Sequence, residues 1–227
     1  MTFARTRSLV IVGATLAALS LAACAQPVSL AVPTSSSTPS ATASATPTPA
    51  PTRPALAELV LSPSGLGPLV VGAPVPVEDE AVAVVRYDAQ ACINDSGEVF
   101  AGRWEPAYTE EYAFDVVTAE LAQAGAIARI VVSEPYVHTA EGIGVGSSLD
   151  ELRAAYPTIA LVEDSITRLY TLGTDRGTLA FEVANGDSTP GYWAPEQIDT
   201  VVMVTAHAPG ESVRAIYATD SNGSCPV

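Results

Sequence analysis

The sequence predicts an α+β fold in which two tandem repeats of short helices pack on an antiparallel sheet, after a signal peptide and a disordered linker. Three observations lead to this prediction. A glycine-rich segment occurs twice, one capped amphipathic helix can be recognised, and runs of β-branched residues alternate with turn-forming pairs in much of the remaining chain. The part after the linker is long enough to build one sizeable core.

The N-terminus has the layout of a secretory signal peptide. Arg5 and Arg7 provide a positive region, an uncharged apolar run spans residues 9–21, and two alanines lead to Cys24. This order resembles the lipobox of bacterial lipoproteins, a family in which the cysteine receives a diacylglycerol and becomes the first residue of the mature chain. The resemblance implies a signal peptide over residues 1–23, a palmitate-type lipid on Cys24, and an extracytoplasmic chain that is anchored to the cell membrane.

Two other interpretations of this segment stay open. One is an ordinary signal peptide followed by an incidental cysteine. The other is a transmembrane span, which would need about 20 consecutive apolar residues to cross a bilayer, more than the run over residues 9–21 provides.

Residues 24–54 are predicted to be the lipidated N-terminus and a disordered linker. The segment consists almost entirely of Pro, Ser, Thr and Ala. A tract of this composition cannot bury enough apolar surface to offset the entropy that it would lose on ordering. We expect it to hold the globular domain away from the membrane.

The charge of the chain restricts its partners. The formal net charge is −15 and there is no lysine, so the domain should be repelled by phosphate backbones and by anionic lipid headgroups. No nucleic-acid partner is therefore expected, and contact with the membrane should come from the N-terminal lipid.

An internal similarity predicts a tandem duplication. The segment Gly65–Val75 recurs in outline as Gly142–Leu149, and the apolar run Ile127–Val132 recurs as Ile198–Met203. The two glycine-rich copies are offset by 74 residues along the chain, and the two apolar copies are offset by 71 residues. The predicted boundaries are 55–227 for the globular domain, about 60–138 for the first repeat and 139–227 for the second.

The second repeat contains the clearest local signals. Ser147 or Ser148 is predicted to cap a short helix that ends before Pro157, because acidic residues occupy the first turn and Leu149 and Leu152 lie on one face. Strands are predicted to follow over residues 159–162, 166–172, 178–183 and 197–207.

The first repeat is harder to interpret. Pro76 precedes three acidic residues that could open a helix extending to about Arg86, yet the valines in this segment suit a strand equally well. Asn94–Gly97 supplies a turn between strands predicted over residues 90–93 and 98–104. The segment 114–124 is compatible with a helix or a strand.

The segment Ile143–Leu152, with the sequence Gly-Ser-Ser-Leu-Asp-Glu-Leu at its end, resembles a known repeat. It is similar to one repeat of the superfamily of β-lactamase-inhibitor proteins and small outer-membrane-assembly lipoproteins, and Val71–Val75 is a degraded version of the pattern. In that superfamily helical segments pack on one face of a curved sheet, and the tandem form has two such units. The resemblance implies this arrangement here, although Pro74 and Pro76 depart from the pattern.

The three cysteines suggest one disulfide. If Cys24 carries lipid, Cys92 and Cys225 remain, and they can pair in an oxidising compartment. Two unpaired thiols are the alternative. A disulfide would fasten the C-terminal tail to the first half of the domain.

No catalytic, metal or cofactor site is predicted. His138 and His207 are far apart in sequence, and the cysteines lack the C-x-x-C spacing of zinc sites. The segment Gly144–Ser147 suits the start of a capped helix better than a nucleophile turn or a phosphate loop. Glu78–Glu80 could bind calcium, but an acidic first turn of a helix is the commoner explanation. We do not expect an enzyme.

Aromatic residues in two polar segments are the candidate binding residues. Tyr192 and Trp193 lie in a long loop before the closing strand of the second repeat, and Trp104, Tyr108 and Tyr112 occupy a comparable region of the first. Aromatic side chains are frequent anchors of protein interfaces. Each group could instead cap the edge of its own sheet.

The leading functional hypothesis is a membrane-anchored lipoprotein that binds another envelope or secreted protein without catalysis. Two alternatives stay open. One is an inhibitor of a secreted hydrolase, which follows from the fold resemblance alone. The other is a cell-wall hydrolase or transferase with an unrecognised acidic site.

Overall fold

Strands dominate the structure. The computed structural model describes residues 52–77, 82–110, 112–119, 123–188, 190–217 and Cys225, all of which belong to the unit Thr48–Val227. The predicted signal peptide, Cys24 and the linker up to residue 51 lie outside the described residues.

The described residues form twelve strands, one α-helix and one 3-10 helix. In the first half these are the 3-10 helix Leu56–Glu58, β1 Val60–Ser62, β2 Gly65–Leu66, β3 Leu69–Val70, β4 Val85–Ile93, β5 Val99–Pro106, β6 Asp115–Thr118 and β7 Ile127–Val132. In the second half they are β8 His138–Thr139, α1 Leu149–Ala155, β9 Ala160–Asp164, β10 Thr167–Thr174, β11 Gly177–Ala184 and β12 Val201–His207.

The strands form one large and one small sheet. The large sheet has eight strands in the order β4-β5-β6-β7-β12-β11-β10-β9, and every neighbouring pair is antiparallel. It therefore consists of two four-stranded meanders, β4–β7 and β9–β12, joined through their last strands. The small sheet has the order β3-β2-β1-β8, in which only the β1–β8 pair is parallel.

The two halves make matching hydrogen bonds at a separation of 74 residues. The Gly72 N–H donates to the Ile127 carbonyl (2.7 Å), and the Gly146 N–H donates to the Val201 carbonyl (2.8 Å). Both glycines have positive φ, 82° and 92°, a conformation that favours glycine. The same separation relates two isolated bridges, Pro74 with Ala126 and Ser148 with Thr200. These contacts support the proposed duplication, whose exact boundaries stay a prediction.

The halves differ in the connection before the closing strand. In the first half the Ala119 N–H bonds to the Ala126 carbonyl across this connection, and in the second half the Ala184 N–H bonds to the Thr200 carbonyl. The second connection is therefore nine residues longer. The additional length contains Trp193.

The predicted α+β fold, with short helices on the sheet in both repeats, is wrong, because the described chain is predominantly β with α1 as its one α-helix. The helix α1 forms because Ser148 and Glu151 complete a capping box: the Ser148 Oγ accepts from the Glu151 N–H (3.2 Å), and the Glu151 carboxylate accepts from the Ser148 N–H (2.7 Å). Pro74 occupies the equivalent position in the first half and has no side-chain acceptor. Val85 already belongs to β4, while positions 78–81 lie outside the described residues.

The other predicted elements agree with the structure within a few residues. The four strands predicted after the helix are found as β9 to β12, and the turn Asn94–Gly97 joins β4 to β5. The segment 114–124, which the sequence left between helix and strand, contains β6.

The main core lies on one face of the large sheet. The small sheet packs there, since β2 contacts both β7 and β12, and α1 adds two buried leucines. The largest fully buried side chains of this core include Leu61, Leu66, Leu69, Phe114, Ile130, Leu152 and Phe181.

Over the central strands, the opposite face of the large sheet is covered by the C-terminal segment, residues 208–217. Ile216 packs on Val131 and Met203. The buried Glu182 carboxylate accepts hydrogen bonds from the Ile216 N–H (2.7 Å) and the Tyr217 N–H (3.1 Å). Burial raises the pKa of Glu182, although its hydrogen bonds oppose this shift. Because both faces are covered, β12 is buried along its whole length.

A disulfide joins Cys92 in β4 to Cys225, as the cysteine count predicted, with a Cα–Cα distance of 5.6 Å. The two residues are 133 positions apart in sequence. The chain close to its C-terminus is therefore covalently attached to the edge of the large sheet, in addition to the hydrogen bonds that Glu182 accepts.

A buried histidine on the covered face is expected to make stability depend on pH. The His207 Nε2 lies 2.8 Å from the Thr205 Oγ1. Burial, and secondarily the nearby Arg129, lowers the pKa of His207 from 6.5 to about 4. Between these values the unfolded chain binds a proton that the folded chain does not, so the free energy of unfolding decreases as pH falls through this interval.

We predict that His207→Gln removes up to about 3 kcal/mol of this acid-induced loss of stability. Urea unfolding at pH 7 and pH 4.5 measures the loss in each protein. His138→Gln is the matched control, because His138 is exposed, and it should lose as much stability as the parent. An equal loss in His207→Gln would contradict the assignment.

Candidate functional site

An open cleft of about 900 Å³ lies beside the first meander. Its lining comes from Arg53, Val77 and Gln123, from residues 83 and 85–87 around the start of β4, and from residues 104 and 107–110 around the end of β5. We call it the aromatic cleft, because three of the residues that line it are Tyr87, Trp104 and Tyr108.

Strand pairing places the first two aromatic rings. Tyr87 of β4 and Trp104 of β5 are directly opposite in the antiparallel ladder. Their rings are in edge-to-face contact with a centroid distance of 5.2 Å. Such cross-strand aromatic pairs stabilise a sheet beyond the area that they bury, so this wall of the cleft is held by the sheet itself.

Tyr108 connects the cleft to the segment at residues 53–54, where the chain enters the described domain. Its hydroxyl donates to the Pro54 carbonyl (3.0 Å). The Arg53 guanidinium lies 5.8 Å from the centre of the Tyr108 ring and also donates to the carbonyls of Ala83 and Ala107. Burial raises the pKa of Tyr108. The segment at residues 53–54 therefore forms a fixed wall of the cleft.

Trp104 contributes an unsatisfied donor. Only 4% of its surface is exposed, and its buried Nε1 has no hydrogen-bond partner within the described chain. An unpaired buried N–H costs about 1–3 kcal/mol, and nearly all such groups in folded proteins have a partner. The indole N–H is also shielded from solvent, so it is an uncompensated donor within the cleft wall and not a contact that the cleft presents to a ligand.

A smaller recess with charged walls lies next to the cleft. Glu105 forms ion pairs with Arg86 (2.9 Å) and Arg103 (3.1 Å). Tyr108 and Tyr112 both line this recess, and the Arg103 guanidinium lies 5.9 Å from the centre of the Tyr112 ring. The structure thus brings together the three aromatic residues that the sequence nominated in the first half, with Tyr112 56% exposed at the rim.

The aromatic pair of the second half lies in a different setting. Trp193 is buried against Ala184 and Val202, and its indole N–H donates to the Ile166 carbonyl (2.9 Å). Its ring packs on Tyr217 at a centroid distance of 4.9 Å. Tyr192 is 54% exposed and meets Trp193 edge-on. Neither residue lines the aromatic cleft, and the indole of Trp193 covers part of the second meander.

Two residues of the cleft were missed by the sequence analysis. Arg53 was assigned to the disordered linker, although it is the single charged residue of the tract over 25–54 and that signal could have drawn attention to it. Tyr87 becomes recognisable only when the pairing of β4 with β5 is known.

In the described ranges, no group of three or more His, Cys, Asp or Glu side chains could hold a metal ion. The helix α1 has seven residues, and no helix in the same ranges has the length and apolar character of a membrane span.

Comparisons with known proteins give little guidance. No protein-family model and no curated protein matches the chain. The chain is similar to the crystal structure of the uncharacterised protein YfeY from Escherichia coli, with 14% identity, a TM-score of 0.39, and coverage of 65% of this chain and 99% of that chain. A similarity at this level supports no conclusion about fold or function.

We predict that the two tryptophans respond differently to replacement by phenylalanine. Trp193→Phe removes a hydrogen bond, whereas Trp104→Phe removes a donor that has no partner. Trp193→Phe should therefore lower the free energy of unfolding by about 1 kcal/mol more than Trp104→Phe. Urea unfolding with matched slopes measures this difference, and an equal or larger loss in Trp104→Phe would show that its indole N–H is satisfied in the folded chain.

Proposed function

We propose that the protein is a non-catalytic binding protein of the cell envelope, anchored outside the cytoplasm by a lipid on Cys24. The aromatic cleft receives a segment of another envelope or secreted protein. The observation that carries this proposal is the open cleft of about 900 Å³ whose lining includes the aromatic side chains of Tyr87, Trp104 and Tyr108.

The composition of the cleft supports protein binding. Aromatic and arginine side chains are enriched at the centres of protein interfaces, where they contribute most of the binding energy. Tyr87, Trp104 and Tyr108 provide large rigid surfaces, and Arg53 is held against the wall by the Tyr108 ring and two carbonyls. A partner therefore meets a preformed surface and loses less entropy on binding than it would at a mobile one.

The position of the cleft in the chain suits an anchored binder. The proposed linker reaches the described domain at Thr52, next to Arg53 in the cleft wall. A stretched tract of this composition rises about 3.1 Å per residue, so residues 24–51 provide a long reach between the lipid and the cleft.

The lipid anchor is tested first. We predict that cells expressing the full chain incorporate labelled palmitate into it, and that Cys24→Ser abolishes the label and leaves a larger chain that retains residues 1–23. Cys225→Ser is the matched control and should be labelled like the parent. Label retained by Cys24→Ser would refute lipid attachment at this position.

The binding site is tested by photo-cross-linking in intact cells. We predict that a photoreactive residue in place of Tyr112, in the recess next to the cleft, yields one cross-linked species, and that Tyr108→Ala in the same chain greatly reduces it, because Tyr108 lines both the recess and the cleft. The same photoreactive residue in place of Tyr192 is the control, because Tyr192 is equally exposed but lines neither of them. Equal cross-linking from both positions, or none from position 112, would refute the cleft as the partner site.

A further inference from the structure

The C-terminal segment lies on the large sheet without forming a strand of it. Residues 211–216 have no regular secondary structure. The Ala208 N–H bonds to the Ala128 carbonyl of β7 (2.8 Å), and the Glu211 N–H bonds back to the Ala208 carbonyl (3.2 Å). These bonds define a turn in which Gly210 has φ 84°. The central strands pair with one another, so the segment beyond this turn can leave the sheet without breaking a strand pair.

Three consecutive backbone N–H groups attach the segment to carboxylates of the sheet. The Ala215 N–H donates to the Glu163 carboxylate of β9 (3.0 Å). The N–H groups of Ile216 and Tyr217 donate to the Glu182 carboxylate of β11 (2.7 and 3.1 Å). Water can replace each of these donors once the segment moves away, so the net contribution of the bonds to closure is modest.

The apolar contact of the segment is small and lies apart from the main core. Ile216 packs on Val131 and Met203, which are 1% and 2% exposed. The main core contains none of these three side chains. Release of the segment therefore exposes Val131 and Met203 and leaves the main core packed.

The disulfide closes the segment covalently. It joins Cys225, beyond the segment, to Cys92 in β4. The strand β4 is the outer strand of the first meander, whereas Glu163 and Glu182 belong to the second. The C-terminal part of the chain is thus held to the second meander by hydrogen bonds and to the first by one S–S bond. Loss of that bond removes the restriction that a cross-link between distant residues imposes.

The two bonded cysteines differ in exposure. Cys92 is buried and Cys225 is half-buried, so a reductant approaches the sulfur of Cys225. One thiolate of a dithiol attacks this sulfur and forms a mixed disulfide, and Cys92 leaves as a thiolate that takes up a proton. The second thiolate of the dithiol then displaces Cys225, whose thiolate also takes up a proton. Both cysteines are reduced, and the dithiol is oxidised to its own disulfide.

We propose that the Cys92–Cys225 disulfide is a redox latch on the C-terminal segment. In the oxidised protein the segment covers Val131, Met203 and the Glu182 carboxylate. Reduction by a dithiol releases the segment, so this face of the central strands is accessible only in the reduced protein. Disulfides persist in oxidising compartments, where the closed state is the resting one. The latch is separate from the aromatic cleft and requires no partner there.

Hydrogen exchange of the full chain, purified in detergent, tests the latch. The parent is measured before and after reduction with dithiothreitol, which should add two thiols per chain. We expect the backbone N–H groups of residues 215–217 to exchange about tenfold faster or more after reduction, and those of β11 and β12 to exchange at unchanged rates. The combined variant Cys92→Ser and Cys225→Ser is the matched control. Its segment should exchange at the fast rate with or without dithiothreitol.

Oxidation of Met203 gives a second readout that needs no reductant. The sequence has one other methionine, Met1, so sulfoxide formation can be followed on the peptide that contains Met203. Dilute hydrogen peroxide should oxidise Met203 about tenfold faster or more in the combined serine variant than in the oxidised parent, because solvent then reaches the thioether. Cys24→Ser leaves the disulfide intact and should protect Met203 as the parent does.

Three results would overturn the latch. The first is unchanged exchange at residues 215–217 in a chain shown to be reduced, which would mean that non-covalent contacts alone keep the segment closed. The second is equal protection of Met203 in the parent and the combined serine variant. The third is faster exchange throughout β11 and β12 after reduction, which would show that the disulfide holds the whole fold. If the combined variant does not fold, exchange in the reduced parent decides.

Discussion

The pairing of β7 with β12 is the interaction on which the rest of the structure depends. It joins two four-stranded meanders into one continuous sheet. Both strands lie at the centre of that sheet, so neither has an exposed edge and their backbone groups are satisfied by neighbours on both sides. A sheet of this width must bury at least one face, and over its central strands both are covered. The small sheet and α1 cover one face, and the C-terminal segment lies on the other.

This central pairing also explains where the cleft lies. The first meander ends at β4, far from β7 in strand order, and there the sheet is covered less completely. Residues 53–54, the start of β4 and the end of β5 meet at this margin. The second meander has a longer connection before β12, and Trp193 in that connection is buried against the sheet. The two halves thus use aromatic residues differently: one lines an open cleft at its outer strands, and the other packs Trp193 against β11 and β12.

Local signals made some elements predictable from sequence. The capping box of Ser148 and Glu151 defines α1 because both partners lie within one turn, and the pairing of Cys92 with Cys225 followed from cysteine arithmetic. The strands β9 to β12 were also predicted, whereas the first half was not: residues 114–124 were left between helix and strand, yet they contain β6. The strand β6 is fixed by its pairing with β5 and β7, which local sequence patterns do not show.

The candidate site was only partly predictable for the same reason. Trp104, Tyr108 and Tyr112 are close in sequence and their clustering could be anticipated. The contribution of Arg53 depends on three contacts with residues 30 or more positions away, which composition cannot indicate. The same limit applies to Trp193, because its position in a polar loop gave no indication that its indole N–H would find the Ile166 carbonyl.

The entry of the chain beside the cleft has a mechanical consequence. With the chain anchored as proposed, a pull on a partner in the cleft passes to the linker through Arg53, Pro54 and their contacts with Tyr108. The line of tension between anchor and partner therefore bypasses the central strands. The force then does not act on the hydrogen bonds between β7 and β12. It acts on the contacts of the cleft wall, so tension would change the binding of the partner before it unfolded the sheet.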